Sequence, residues 1–195
     1  FVSGSSAGAI AGVLYAAGYS PQEMLTIFKE ASLLKLFRVS LPTVGLTDLS
    51  YVGEELAKYI ERDDFSVLPK RFFACVTNMS QGCYEILQEG PLFEAVVASS
   101  SIPILFKPRK IKGESYADGG VLNNLPIEPL EDRCQVVIGV NVTPIKPVEA
   151  SQNLLQIGYR TLDLVMWANV QERLQRCDVV IEPATAKYKL FELDK

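Results

Sequence analysis

No histidine occurs anywhere in this chain of 195 residues. Histidine is the usual general base near neutral pH and the commonest nitrogen ligand for metals, so a Ser-His-Asp triad and histidine-based metal chemistry are excluded within it. Positive charge is also in short supply: 19 Lys and Arg stand against 23 Asp and Glu, a net charge of −4. That balance has no field to gather phosphates along a polynucleotide, so nucleic acid is not an expected partner. No run of apolar residues approaches the ~18 that a membrane-spanning helix needs, and any lipid contact is expected to be interfacial. A cytoplasmic or membrane-peripheral location follows as the expectation. Cysteine is sparse and scattered. Cys75, Cys83, Cys134 and Cys177 form no C-x-x-C pair, and a chain this long needs no disulfide framework, so they are expected to be reduced and mostly buried.

What remains is ordinary globular material. Hydrophobic types make up 48% and charged types 22% of the chain, enough to close one core, and a single domain over residues 1–195 is expected. Phe1-Val2-Ser3 reads as the end of a strand whose beginning lies upstream. Residues 7–17 are small or apolar and uncharged, which suits a buried helix packed closely on a sheet, and Gly18 stops it. Ser20-Pro21 followed by Glu23 predicts a helix to about Ser32. A loop is expected over residues 38–47. Thr47 or Ser50 is expected to cap a further helix through Ile60.

Residues 71–77 and 83–87 predict two strands paired as a hairpin about the Gln81-Gly82 turn. Pro91 starts a short helix to Ser99. Residues 136–142 are nearly all apolar, as in a strand covered on both faces. Helical spacing over residues 150–176 and the apolar Val179-Val180-Ile181 predict a last helix and strand. The fold class is therefore α/β: a layered sandwich with a central, mostly parallel or mixed sheet flanked by helices.

Two segments carry chemistry. Gly4-Ser5-Ser6-Ala7-Gly8 fits G-x-S-x-G between a strand end and a helix start. There a sharp turn strains the serine backbone and exposes its oxygen, and glycines two residues to either side relieve Cβ clashes. The plain alternative is a glycine and serine connection. A serine hydroxyl needs a base, and without histidine the candidates are a carboxylate, a lysine or a chain terminus. S-x-x-K fails because residue 9 is Ala. Asp118 stands out in Tyr116-Ala117-Asp118-Gly119-Gly120-Val121-Leu122-Asn123-Asn124, where two glycines permit positive φ or close backbone approach. Asp-Gly is equally a common hairpin turn.

Three segments together resemble the patatin-like phospholipases: GSSAG leading into AIAGVLYAAGYSP, then AVVASSSIPILFKP, then YADGGVLNNLP. The resemblance spans roughly residues 1–143 and implies a patatin-like fold. It also implies a Ser-Asp dyad with Ser6 as nucleophile and Asp118 as base, an acyl lipid substrate and no cofactor. Asn124 and Pro126 fall in the same segment and are expected to shape its turn. The family's glycine-rich oxyanion loop has no counterpart after Phe1, so the domain is expected to continue upstream with a strand and that loop. The expected reaction is ester hydrolysis through an acyl-enzyme, with Ile102, Pro103, Leu105 and Phe106 as pocket lining. A rival expectation is a non-catalytic α/β module that holds an anionic headgroup at the Ser6 helix N-terminus. Asp63-Asp64 and Glu54-Glu55 are expected to be solvated faces, and Leu162, Val165, Met166 and Trp167 a core stripe.

Overall fold

A computed structural model of the chain describes residues 1–30, 48–143, 145, 147 and 153–185. The expected loop at 38–47, Thr47 and the last two residues of the helix expected to reach Ser32 lie outside the described residues. Strand β2 (Phe72–Asn78) organises the rest, because all seven of its residues are buried. Its aromatic and β-branched content favours a strand that is packed on both faces. Around it stand β1 (Val2–Gly4), β3 (Cys83–Leu87), β4 (Arg109–Ile111) and β5 (Glu114–Asp118). The sheet is mixed. β1 runs parallel to β2, whereas the β2–β3, β2–β5 and β4–β5 pairings are antiparallel.

The register fixes where the strands beside β2 stop. β3 covers β2 from Ala74 to Asn78, so it occupies one edge of that strand. β1 reaches Ala74 through Gly4, and β5 reaches Val76 through Asp118. Both therefore lie on the opposite edge, where their C-terminal ends meet nose to nose across Cys75.

Helices close the core over this sheet. α1 (Ala7–Ala16) buries Ala9, Ile10, Val13, Leu14 and Ala16, and its small residues let it approach β2: a Cβ at Gly12 would lie 3.0 Å from the Phe72 ring. α2 (Pro21–Glu30) begins with a reciprocal capping box. Ser20 N donates to Glu23 Oε2 at 2.8 Å, and Glu23 N donates to Ser20 Oγ at 3.3 Å. α3 (Tyr51–Leu56) ends four residues before the expected Ile60. The chain tightens there into i to i−3 bonds, Lys58 N to Glu55 O and Tyr59 N to Leu56 O. Ser50 stands at its N-cap but does not cap it, its own N–H and hydroxyl being turned to Asp48.

α4 (Leu92–Ser99) follows Pro91 as expected. Its first turn is capped from a distance, because Asp63 Oδ1 accepts from Phe93 N at 2.6 Å. Asp64 accepts from Ser66 N and caps the 3₁₀ turn Phe65–Val67. The Asp63-Asp64 pair is exposed, as expected, and both carboxyls also serve as backbone caps.

The C-terminal part departs most from expectation. β6 (Ile138–Val140) pairs in parallel with β7 (Val179–Ile181) in a separate two-stranded sheet. Residues 136–142 are not covered on both faces: Val137, Gly139 and Asn141 point inward, while Val136, Ile138, Val140 and Val142 are half exposed. After the single turn α5 (Glu128–Glu131), α6 (Leu154–Gln175) buries only Val170. The stripe of Leu162, Val165, Met166 and Trp167 is therefore not core, and Val165 is 42% exposed. The cysteines are all free, but only Cys75 is buried; Cys83 is exposed and Cys134 and Cys177 lie between.

Candidate active site

The strand β1 ends at Gly4 and α1 begins at Ala7, so Ser6 falls on the turn between them. Its backbone sits at φ 56° and ψ −129°, a conformation that costs an L-residue of order 1–3 kcal/mol and persists only where the surroundings enforce it. Gly4 shows the enforcement: a Cβ there would come within 2.3 Å of Gly8 O. Gly8 itself has open space at its Cβ position; its carbonyl is what excludes a side chain at Gly4. Ser6 is half-buried, while Ala7 and Gly8 are exposed. Among the described residues Ala7 N–H has no backbone acceptor, so the first amide of α1 is free at the mouth of the turn with the positive end of the helix behind it.

Asp118 closes β5 and caps the 3₁₀ turn Gly119–Val121. It is 112 residues from Ser6 in sequence, and the shared edge of β2 brings the two together. Neither glycine after Asp118 adopts positive φ. Their requirement is room. A Cβ at Gly119 would stand 2.1 Å from Cys75 O and 2.7 Å from Ser5 Oγ, and one at Gly120 2.4 Å from Met166 Cε.

The Asp118 side chain is fully buried. Burial pushes its pKa up to about 7, against the opposing effect of hydrogen bonds from the Ser6 side chain and Gly120 N. Gly120 N donates to Oδ1 at 2.7 Å. Among the described residues Oδ2 has no partner of full hydrogen-bond geometry, so the Ser6 interaction that opposes the upward shift falls outside that geometry.

The turn at the end of α4 holds both groups by their backbones. Ser6 N donates to Ser99 O and to Ser99 Oγ, each at 3.1 Å. Ser99 Oγ donates to Cys75 O at 2.6 Å and Ser100 Oγ to Ser6 O at 3.2 Å. Asp118 N donates to Ser101 O at 2.9 Å. All three serines are buried. Sequence alone gives these serines no role; the signal is the serine run itself, uncharged and placed between an apolar helix and a proline.

Other expected positions fare unevenly. Leu105 and Phe106 belong to the core, while Ile102 and Pro103 are half-buried beside it. Ile104 between them has φ 76°, unusual for a β-branched residue. Asn124 N donates to Asn169 Oδ1 at 2.8 Å and its Nδ2 to Thr143 Oγ1 at 3.4 Å. Among the described residues no three Cys, Asp or Glu side chains converge as metal ligands, and no helix is long and apolar enough to cross a membrane.

Residues 1–131 match the family model for patatin-like phospholipase. An uncharacterized NTE family protein of Mycobacterium tuberculosis is 28% identical over 131 residues, covering 66% of this chain and 36% of that protein. An uncharacterized protein of Bacillus subtilis is 27% identical over 187 residues, 78% of this chain and 64% of the relative. A lysophospholipase of Meyerozyma guilliermondii is 30% identical over 155 residues, 72% of this chain and 10% of the relative. The chain thus spans about a third of the length of the first curated relatives it matches. With the strained serine turn, the buried aspartate beside it and a matching model over 131 residues, this chain belongs to the patatin-like phospholipase family.

Proposed function

We propose that the chain is a serine carboxylic ester hydrolase that cleaves phospholipids or related acyl lipids with Ser6 as nucleophile and Asp118 as base. The observation that carries this reading is a fully buried carboxyl, pushed up to about 7, against the hydroxyl of a strained and solvent-reachable serine. A carboxylate at its ordinary pKa is a poor base for an alcohol. Near 7 it is both ionised at neutral pH and basic enough to share a proton in the transition state.

Asp118 takes the Ser6 proton as Oγ attacks the acyl carbonyl carbon. The oxyanion that forms faces the N-terminus of α1, where Ala7 N–H is free to donate to it. Collapse expels the alcohol, which leaves with the proton from Asp118, and the acyl group stays on Ser6. Water then attacks the acyl-enzyme with Asp118 again as base, and the fatty acid departs. The lysophospholipase relative supports a lipid as acyl donor.

The test is covalent labelling by a fluorophosphonate together with turnover of p-nitrophenyl acyl esters. Wild type is expected to label at Ser6 and turn over, and Ser6→Ala to do neither. Turnover that survives in Ser6→Ala would place the nucleophile elsewhere.

A further inference from the structure

We infer that Asn169, on α6 and outside the residues that match the family model, is a positioning residue that holds the Asp118 turn against Ser6. The inference rests on the dyad proposed above and adds to it an element that the three sequence segments do not contain.

The 3₁₀ turn after Asp118 is short, so its carbonyls and the next N–H groups lack partners within it. One side chain supplies them from both directions. Asn169 Nδ2 donates to Gly120 O at 2.9 Å and Val121 O at 3.3 Å, and Asn169 Oδ1 accepts from Asn124 N at 2.8 Å. Gly120 is the residue whose N–H donates to Asp118 Oδ1 at 2.7 Å. Asn169 therefore grips, by its carbonyl, the residue whose amide aims the carboxyl.

The helix is seated for this. Met166 packs so closely on Gly120 that a Cβ there would be 2.4 Å from its Cε. One turn beyond Asn169, on the same helix face, Arg173 Nε donates to Glu128 Oε1 at 2.7 Å, and Glu128 Oε2 accepts from the buried Asn123 at 2.8 Å. Arg173 Nη1 also donates to Asn169 O at 2.6 Å. Both ends of the segment that leaves Asp118 are thus tied to α6.

The ionisable neighbours of the Asp118 carboxyl bear on the readout. Cys75 on β2 is kept neutral by burial, which pushes its thiol well up. Tyr116, on the same strand as Asp118, is raised mainly by desolvation and stays a neutral phenol. Glu128 and Arg173 lie past the turn as an ion pair. Burial holds Cys75 and Tyr116 neutral, and, against burial, hydrogen bonds from Asn123 and Arg173 hold Glu128 below the usual carboxylate range, so the acid limb of activity reports Asp118 itself. Freeing Gly120 weakens the one backbone donor that favours its charged form, and the limb moves to higher pH.

The experiment compares Asn169→Ala, Asn169→Asp and Arg176→Gln in the full chain on a p-nitrophenyl ester across pH. Asn169→Asp keeps the acceptor for Asn124 N but turns an acceptor toward Gly120 O. Arg176→Gln breaks the ion pair of α6 with Glu131 without touching the turn. Both Asn169 variants are expected to lose roughly 10- to 100-fold in kcat with KM changed less than about twofold, and to shift the acid limb upward by up to about one pH unit. Arg176→Gln should keep wild-type kcat and limb. Should Asn169→Ala fail to fold, Asn169→Asp carries the same test. Asn169 variants with wild-type kcat and limb, whatever their melting temperature, overturn the inference. If Asp118→Asn keeps wild-type turnover, the dyad itself is overturned, which is a separate outcome.

Discussion

Replacing Asp118 by Asn separates its chemistry from its packing. Asn keeps the shape, keeps an oxygen for the Gly120 N–H bond of 2.7 Å and cannot ionise. In the wild type the carboxyl moves from an ordinary value of 3.8 to about 7 on folding, chiefly by burial. A folded pKa above the unfolded one means that the native state binds the proton more tightly. Its stabilising contribution is therefore complete below about pH 4 and is lost as pH rises through 7.

The whole effect is on the order of 4 kcal/mol, and roughly 2–3 kcal/mol of it falls between pH 5 and pH 8. Urea unfolding of both proteins across that range should show Asp118→Asn gaining on wild type by this amount as pH rises. Meanwhile its ester turnover should be absent at every pH. Wild-type activity should fall on the acid side with a midpoint near 7, where a histidine would ordinarily be held responsible, although this chain has none. Stability curves that stay parallel from pH 5 to pH 8, or a variant that still turns over, would refute the reasoning.

Ser6→Gly should abolish activity yet raise stability by about 1 kcal/mol, because glycine adopts the φ of 56° without strain; thermal unfolding reads it. Gly119→Ala should cost about 3 kcal/mol or more, since its Cβ would meet the Cys75 carbonyl at 2.1 Å and neither backbone can give. Gly8→Ala, in the same serine motif, should fold at least as well as wild type, its Cβ position being open. Ser99→Ala should cost about 1–3 kcal/mol in urea unfolding by stripping Cys75 O of its 2.6 Å partner, with a fall in kcat as Ser6 loosens.

Local rules were legible where one residue decides one feature. Ser20-Pro21 and Glu23 announce the start of α2, Pro91 announces α4, and the small residues of α1 announce close packing on a sheet. The serine turn was legible because its geometry has few sequence solutions. The meeting of Ser6 with Asp118 was not readable from local pattern and came from resemblance, since it depends on which edge of β2 each strand takes. The cap on α4 escaped for the same reason, with Asp63 lying 30 residues before Phe93. Residues 136–142 misled because a nearly all-apolar run looks the same whether or not a layer covers it. Asn169 offered nothing to read: a lone amide on an exposed helix acquires meaning only from the turn it faces.

The nose-to-nose meeting of β1 and β5 makes β2 a ruler. Ser6 and Asp118 are placed by where two strands stop along one stretch of backbone, Ala74 and Val76, and not by the length of the chain that joins them. Residues can be added in the Gln81-Gly82 turn without moving either stop. One residue inserted at Cys75 would slide the stops apart by about 3.3 Å and turn the far half of β2 over. Length variation among chains that carry this site should therefore gather in the connections and leave Phe72–Asn78 untouched, as a gauge block is left untouched while the jig around it is rebuilt.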